Sequence, residues 1–259
     1  MILTVARKEL KALFASPLAW IILAVVQFLL GYLFLKQIDQ YAEFQSQAMR
    51  IPGFRGVTEM VGLLVFNVYS LLFFVLVPLL GMRLIAEERR NQTMTFLVSS
   101  PLSMTEIVVG KFMGLWLFLL LLLAIAALMP LSLLAGGTVD LGRLAAAFIG
   151  LALMAASLSA VSLYLSSLTV HPIVAGITSF CALLGLAVIG ETLAEVLRAA
   201  QWPAAKGLVP LAQVLSPLRA LESFLAGTID TFSLTASLLV TAFFITLTVR
   251  RLDAARLRG

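Results

Sequence analysis

The sequence predicts an all-α polytopic membrane protein, and three observations carry that prediction. The chain of 259 residues is 61% hydrophobic and 12% charged, where soluble domains carry roughly 25% charged residues. Its mean hydropathy is +1.07, more apolar surface than a soluble fold of this length can bury. Six stretches without Asp, Glu, Lys, Arg or His fill most of it: Leu18 to Leu35, Val61 to Met82, Phe112 to Leu134, Leu144 to Leu165, Pro172 to Gly190 and Phe232 to Val249. Each approaches the roughly 20 residues that a helix needs to cross a hydrocarbon core. Because these runs are continuous rather than alternating, they select helices over a β-barrel.

Met1 to Ser16 precedes the first span as an amphipathic helix. Thr4, Arg7, Lys8 and Lys11 share one face; Leu3, Ala6, Leu10, Leu13 and Phe14 share the other. That pattern predicts a helix lying in the membrane interface, where lipid contact alone or a docked partner would account for it. The first apolar run follows bases as a signal peptide would, but it is longer than a signal h-region and lacks a small-residue cleavage site. It reads as a retained span.

Orientation comes from Lys and Arg beside the spans. Arg7, Lys8 and Lys11, then Arg83, Arg89, Arg90 and Lys111, then Arg250, Arg251, Arg256 and Arg258 fall on one side; Lys36, Arg50, Arg55, Arg143, Arg198, Lys206 and Arg219 fall on the other. The richer side is predicted cytoplasmic, with both termini. This distribution also explains the net charge of +5 without nucleic acid. Cys181 is the only cysteine, so no disulfide can form within the chain, and one His and one Cys cannot build a zinc site from those ligands.

Between the spans, Lys36 to Met60 with its Pro52-Gly53 turn reads as a solvated loop. Ala135 to Arg143 is a short turn, and Ser166 to His171 a tight one that makes the fourth and fifth helices antiparallel neighbours. Glu191 to Thr231 is long but helical in pattern. Leu193, Val196 and Leu197 mark one piece, Leu211, Val214 and Leu215 a second, and Leu218, Leu221, Phe224 and Leu225 after Pro217 a third. Such apolar faces need cover, so residues 191–231 are expected to re-enter or cap the far side of the bundle, as a structural cap or a lid.

Arg83 to Lys111 is unlike a random loop. Leu84 to Val98 has helix formers and an apolar edge of Met94, Leu97 and Val98; Ser100-Pro101 then breaks it. Ser103 and Glu106 have capping-box spacing, which starts a second helix leading into the third span. Two helices joined at a proline elbow form a lever on the spans at either end. The plainer alternative is that the apolar edge packs on the chain's own helix ends.

The run Ile85-Ala86-Glu87-Glu88, Thr93, Ser99-Ser100-Pro101-Leu102-Ser103, Glu106-Ile107 and Gly110-Lys111 resembles the coupling-helix region of ABC type-2 exporter permeases. A second match, Ser216-Pro217 to Phe224, Gly227, Ile229 and Asp230, resembles the gliding-motility-type branch of that family. The family often has Gly before the Thr, where this chain has Gln92, leaving helix termination there open to another form; the branch commonly has His where Ala220 stands.

The resemblance spans nearly the whole chain and implies one permease domain, 1–259, with a coupling region at 83–111 and a cap at 191–231. It implies a non-catalytic subunit of the bacterial inner membrane that couples ATP hydrolysis elsewhere to translocation or force transmission. Its partners would be two cytosolic ABC ATPase subunits carrying ATP and Mg, a second permease copy or paralogue, lipids and an extracytoplasmic accessory protein. Glu87, Glu88, Arg89, Arg90, Thr93, Leu97, Ser100, Pro101 and Ser103 would make the ATPase contact.

The residues agree that energy must come from outside. A P-loop ending at Gly110-Lys111 would need Gly at 105 and Ser or Thr at 112, where Thr105 and Phe112 stand. The spans carry no acidic or His residue of the kind that ion-coupled transporters use; their only amides are Gln27 and Asn67. These two either line a path or bond between helices. Ala152, Ala155, Ser159, Ser162 and Ser166 predict close packing of the fourth span, while His171, Trp20, Trp116 and Trp202 fall near span boundaries. The alternatives are a membrane-embedded enzyme, against which the lack of intramembrane acids and His counts, and an ATP-independent transporter or scaffold.

Overall fold

In the computed structural model, residues 1–48, 56–93, 102–135, 138–199 and 216–256 are described. An interfacial helix α1 (Ile2–Ala15) leads into α2 (Pro17–Ala48); a π-helical turn, Thr58–Gly62, opens α3 (Leu63–Gly81). The short α4 (Ala86–Arg90) precedes α5 (Met104–Ser132), then α6 (Leu141–Leu168), α7 (Pro172–Ala199), α8 (Pro217–Leu225) and α9 (Thr231–Arg256). Six helices are long and apolar enough to cross a membrane, so the chain is a multi-pass protein with both termini on one face.

The order of burial follows side-chain size. The apolar window of α6 is 72% buried, whereas those of α2, α7 and α9 are 28% buried, so α6 is the central post. Its Ala155, Ser159, Ser162 and Ser166 are wholly buried, as the small-residue pattern predicts. A side chain at Gly81 of α3 would overlap Ser162, showing how closely the two backbones approach. α7 buries Ala175, Ser179, Ala187, Gly190 and Ala194 and turns Ile173, Ile177, Val188 and Ile189 outward. Small residues make most of the joint, with Leu183 the large side chain buried among them, and the β-branched aliphatics point away from the bundle. In α9 the hydroxyls of Thr235, Ser237, Thr241, Thr246 and Thr248 donate to carbonyls one turn back, so these five need no partner across the bundle.

Two expected connections are helical. α2 runs on to Ala48 through much of the predicted solvated loop, because Lys36 to Ala48 contains neither Gly nor Pro. Likewise α7 continues to Ala199 and absorbs Leu193, Val196 and Leu197, which are not a separate piece. Leu211, Val214 and Leu215 lie outside the described residues, as does Trp202.

The predicted helix after Pro217 is α8. Ser216 caps it by accepting from Arg219 N–H, and Pro217 occupies the first turn, where a missing N–H costs nothing. α8 lies against α6, where Phe224 and Leu221 fill the space at Gly150; a Cβ there would stand 2.5 Å from that of Phe224. It ends at Gly227, whose φ of +86° favours glycine. Thr228 N–H donates to Ser223 O and Gly227 N–H to Phe224 O, a Schellman closure. Arg143 of α6 braces this end, its Nε donating to Leu225 O at 3.2 Å and its Nη1 lying 3.5 Å from Glu59.

Gly150→Val should therefore lift α8 from α6. We expect a destabilisation of about 1–3 kcal/mol, the range for overpacking, read as a lowered midpoint in thermal unfolding of the detergent-purified protein.

Candidate functional site

On the face that carries the termini, α6 fixes where α4 begins. Ser166 Oγ accepts from Ile85 N–H at 3.3 Å and Ala86 N–H at 3.1 Å, and donates to Met82 O at 3.1 Å. Leu84, Ile85 and Ala86 are buried there. Glu87 and Glu88 fall in the first turn of α4 and Arg89 and Arg90 in its last, the arrangement that the helix dipole favours.

Termination of α4 follows the same Schellman pattern as α8. Thr93 N–H donates to Glu88 O at 3.0 Å and Gln92 N–H to Arg89 O at 3.2 Å. Gln92 has φ of +57°, the position a glycine fills at lower cost. Helix termination thus keeps the form that the family's usual Gly would give, with Gln92 carrying the strain.

The first turns of α5 supply the centre of the site. Ser103 Oγ accepts from Glu106 N–H while Glu106 Oε2 accepts from Ser103 N–H, so the predicted capping box is formed. Two turns on, Lys111 is 1% exposed. Its Nζ donates to Glu9 Oε1 of α1 at 2.9 Å and to Glu88 Oε1 of α4 at 2.7 Å. One ammonium thereby joins three helices. Glu88 Oε2 is buried and without a hydrogen-bond partner, and Lys8 stands 3.9 Å from Glu9.

Glycines let α1 come close enough for this. A Cβ on Gly110 would lie 2.6 Å from Val5 Cβ, and one on Gly114 would lie 2.6 Å from Glu9 Cβ. The spacing of four residues puts both on one face of α5, a small-xxx-small joint. In consequence α1 buries Val5, Ala6 and Glu9, while Leu3 is exposed. Ala6 is buried and Leu10, Leu13 and Phe14 pack partly buried against the core, as apolarity predicts; the face extends beyond them to Val5 and to Glu9, whose carboxylate meets Lys111. Beside the cluster is a cavity of about 370 Å³, walled by Lys8, Glu9, Leu13, Arg83, Glu87 and Lys111 among others.

The sequence-derived residues separate into groups. Glu87 lines the cavity; Glu88 is engaged by Lys111; Arg89 is half-buried within electrostatic reach of Arg251. Arg90, Thr93 and Ser103 are exposed, whereas Leu97, Ser100 and Pro101 lie outside the described residues. Gln27 Nε2 donates to Leu122 O at 3.0 Å, a bond from α2 to α5. Asn67 is exposed and donates to Leu63 O of its own helix, so among the described residues it joins no second helix. Trp116 Nε1 donates to Ala152 O of α6 rather than serving only as an interfacial anchor. Sequence reasoning missed Glu9 and Lys111 as a pair; a lysine between two glycines spaced by four residues, at the start of an apolar span, was the available signal.

Six helices long and apolar enough to cross a membrane, with an amphipathic helix clasped to one end of the bundle, define a polytopic membrane protein. The sequence profile of the family described as ABC-2 family transporter protein matches residues 3–257, and the chain belongs to that family. It is a permease subunit of an ABC exporter, a membrane transport component. No protein of curated function matches the chain.

Two outcomes test this geometry. Lys111→Met strands two carboxylates and should cost about 3–5 kcal/mol; added to Glu9→Gln with Glu88→Gln, the same change should cost much less, as thermal unfolding of the three variants will report. Gln92→Gly should raise stability by about 1 kcal/mol by relieving the left-handed backbone, read in the same assay.

Proposed function

We propose that a separate cytosolic ATPase drives this permease by gripping the elbow formed by α4 and the start of α5. The observation that carries the reading is the Lys111 clasp. A push on α4 is transmitted through Glu88 and Lys111 to α5, through Glu9 to α1, and through residues 82–85 to α3. Arg90, Thr93 and Ser103 offer exposed groups for the contact, and Glu87 stands at the adjoining cavity. From the sequence, Leu97, Ser100 and Pro101 are assigned to the same contact and Arg89 to its edge. Because Glu88 is held within the chain, it acts as the strut behind the contact rather than its surface.

The exporter works as two permease copies, or this chain and a paralogue, with two ATPases that bind ATP and Mg. The charge bias beside the spans supports cytoplasmic termini, and the resemblance to the exporter permeases supports the inner membrane of a bacterium. Placement in the gliding-motility-type branch rests on the segment from Ser216 to Asp230. Translocation and force transmission to an extracytoplasmic accessory protein are both compatible with it.

The test is to reconstitute the permease with its ATPase and compare Glu87→Ala and Arg90→Glu with the parent. Recruitment of the ATPase and ATP turnover should fall at least about tenfold, the effect of one lost charge-assisted contact. Unchanged recruitment and turnover in both variants would remove the elbow from the ATPase contact.

A further inference from the structure

α6 joins the elbow on one face to the cap helix on the other. At the elbow, the Ser166 hydroxyl donates to Met82 O at 3.1 Å and accepts from Ile85 N–H at 3.3 Å and Ala86 N–H at 3.1 Å. Its one proton and both lone pairs are thereby engaged, and the residue is wholly buried. At the other end Gly150 receives Leu221 and Phe224 of α8. Arg143 Nε donates to Leu225 O at 3.2 Å, and Arg143 Cγ would stand 3.0 Å from a Cβ on Gly227. The cap helix is seated on α6 through both its apolar face and its C-terminal turn.

The other two spans tied to the elbow are interrupted. Pro78 lies within α3 and Pro130 within α5. A proline has no N–H for the carbonyl four residues back, so Phe74 O and Ala126 O receive no such bond and each helix bends there at lower cost. Beyond Gly81, α3 gives way to a turn, and it is α6 that bonds the backbone of this turn at Met82 and Ile85. α6 itself has no proline between Leu141 and Leu168, and its interior Gly150 is packed by Phe224. Its 28 residues make a continuous rod of about 42 Å, long enough to reach from one face to the other.

We propose that α4, α6 and α8 move as one body, so that a displacement of the elbow on one face carries the cap on the other, with Ser166 coupling α4 to α6. This rests on the reading that an ATPase drives α4. The push that reaches α3 through residues 82–85 is absorbed in part by bending at Pro78. α8 is then a load carried by the fourth span rather than a lid with a hinge of its own. Ser166 is a positioning residue, acting through the backbone that leads into α4.

Spin labels at Asn91→Cys and Glu222→Cys, both exposed, in a Cys181→Ser background and in one permease copy of each reconstituted exporter, test this by pulsed electron resonance. The Asn91–Glu222 distance should be the same with and without ATP, while in a second sample, labelled at Asn91 alone in both copies, the distance between copies shifts. A label at exposed Val75→Cys of α3, on the far side of Pro78, should change its distance from Asn91 with ATP. Ser166→Ala should leave recruitment of the ATPase unchanged, yet make the Asn91–Glu222 distance shift with ATP because the cap lags behind the elbow. A merely structural serine would leave that distance constant. An Asn91–Glu222 distance that shifts in the parent, one that stays constant in Ser166→Ala, or a constant Asn91–Val75 distance would overturn the proposal, and the parent measurement stands without the variant. Asn91 labels that keep their distance between copies would instead overturn the ATPase reading, and this proposal with it.

Discussion

A buried ammonium between two carboxylates organises the terminal face of this permease. Lys111 is sealed from solvent at the start of α5, and without Glu9 and Glu88 its charge would be untenable there. Those two acids stand on α1 and α4, helices that have little else in common. Satisfying one lysine therefore fixes the interfacial helix, the short surface helix and the third span in a single body. Desolvation makes the cluster poor value as a source of stability but strict as a specification of geometry.

Glycine and serine make that geometry reachable. Gly110 and Gly114 bring α1 onto α5, and Ser166 of α6 holds the backbone that leads into α4. On the opposite face Gly150 receives Phe224 of α8, and Gly227 supplies the left-handed turn that α4 makes with Gln92. Lipid offers no competing hydrogen bonds and no hydrophobic gain for helix association, so close backbone approach and satisfied polar groups decide which helices touch. The central position of α6 follows: it presents small residues where its neighbours arrive.

Much of this was legible in the sequence. Length and polarity alone marked the six spans, because a bilayer imposes one scale on every crossing. Ser103 and Glu106 announced the start of α5 by spacing, and Pro217 that of α8. What escaped were helix ends in polar water-facing sequence: α2 and α7 run past the apolar segments because nothing in Lys36 to Ala48 or Glu191 to Ala199 stops a helix. The pairing of Glu9 with Lys111 escaped for a different reason. An amphipathic face is read from apolar residues, and Glu9 is buried through a partner 102 positions away that no local pattern reveals. Gln92 was noticed as a departure from the family's glycine; that it adopts the glycine's conformation required the backbone.

The central claim is that α1, α4 and the start of α5 move as one body while the spans rearrange. Spin labels at Lys11→Cys and Asn91→Cys, both exposed positions, in a Cys181→Ser background allow that to be measured by pulsed electron resonance in the reconstituted exporter. The Lys11–Asn91 distance should stay constant between nucleotide-free and ATP-bound states, while the distance between the Asn91 labels of the two permease copies changes. A Lys11–Asn91 distance that shifts or broadens with ATP would contradict the clasp as the element that transmits force.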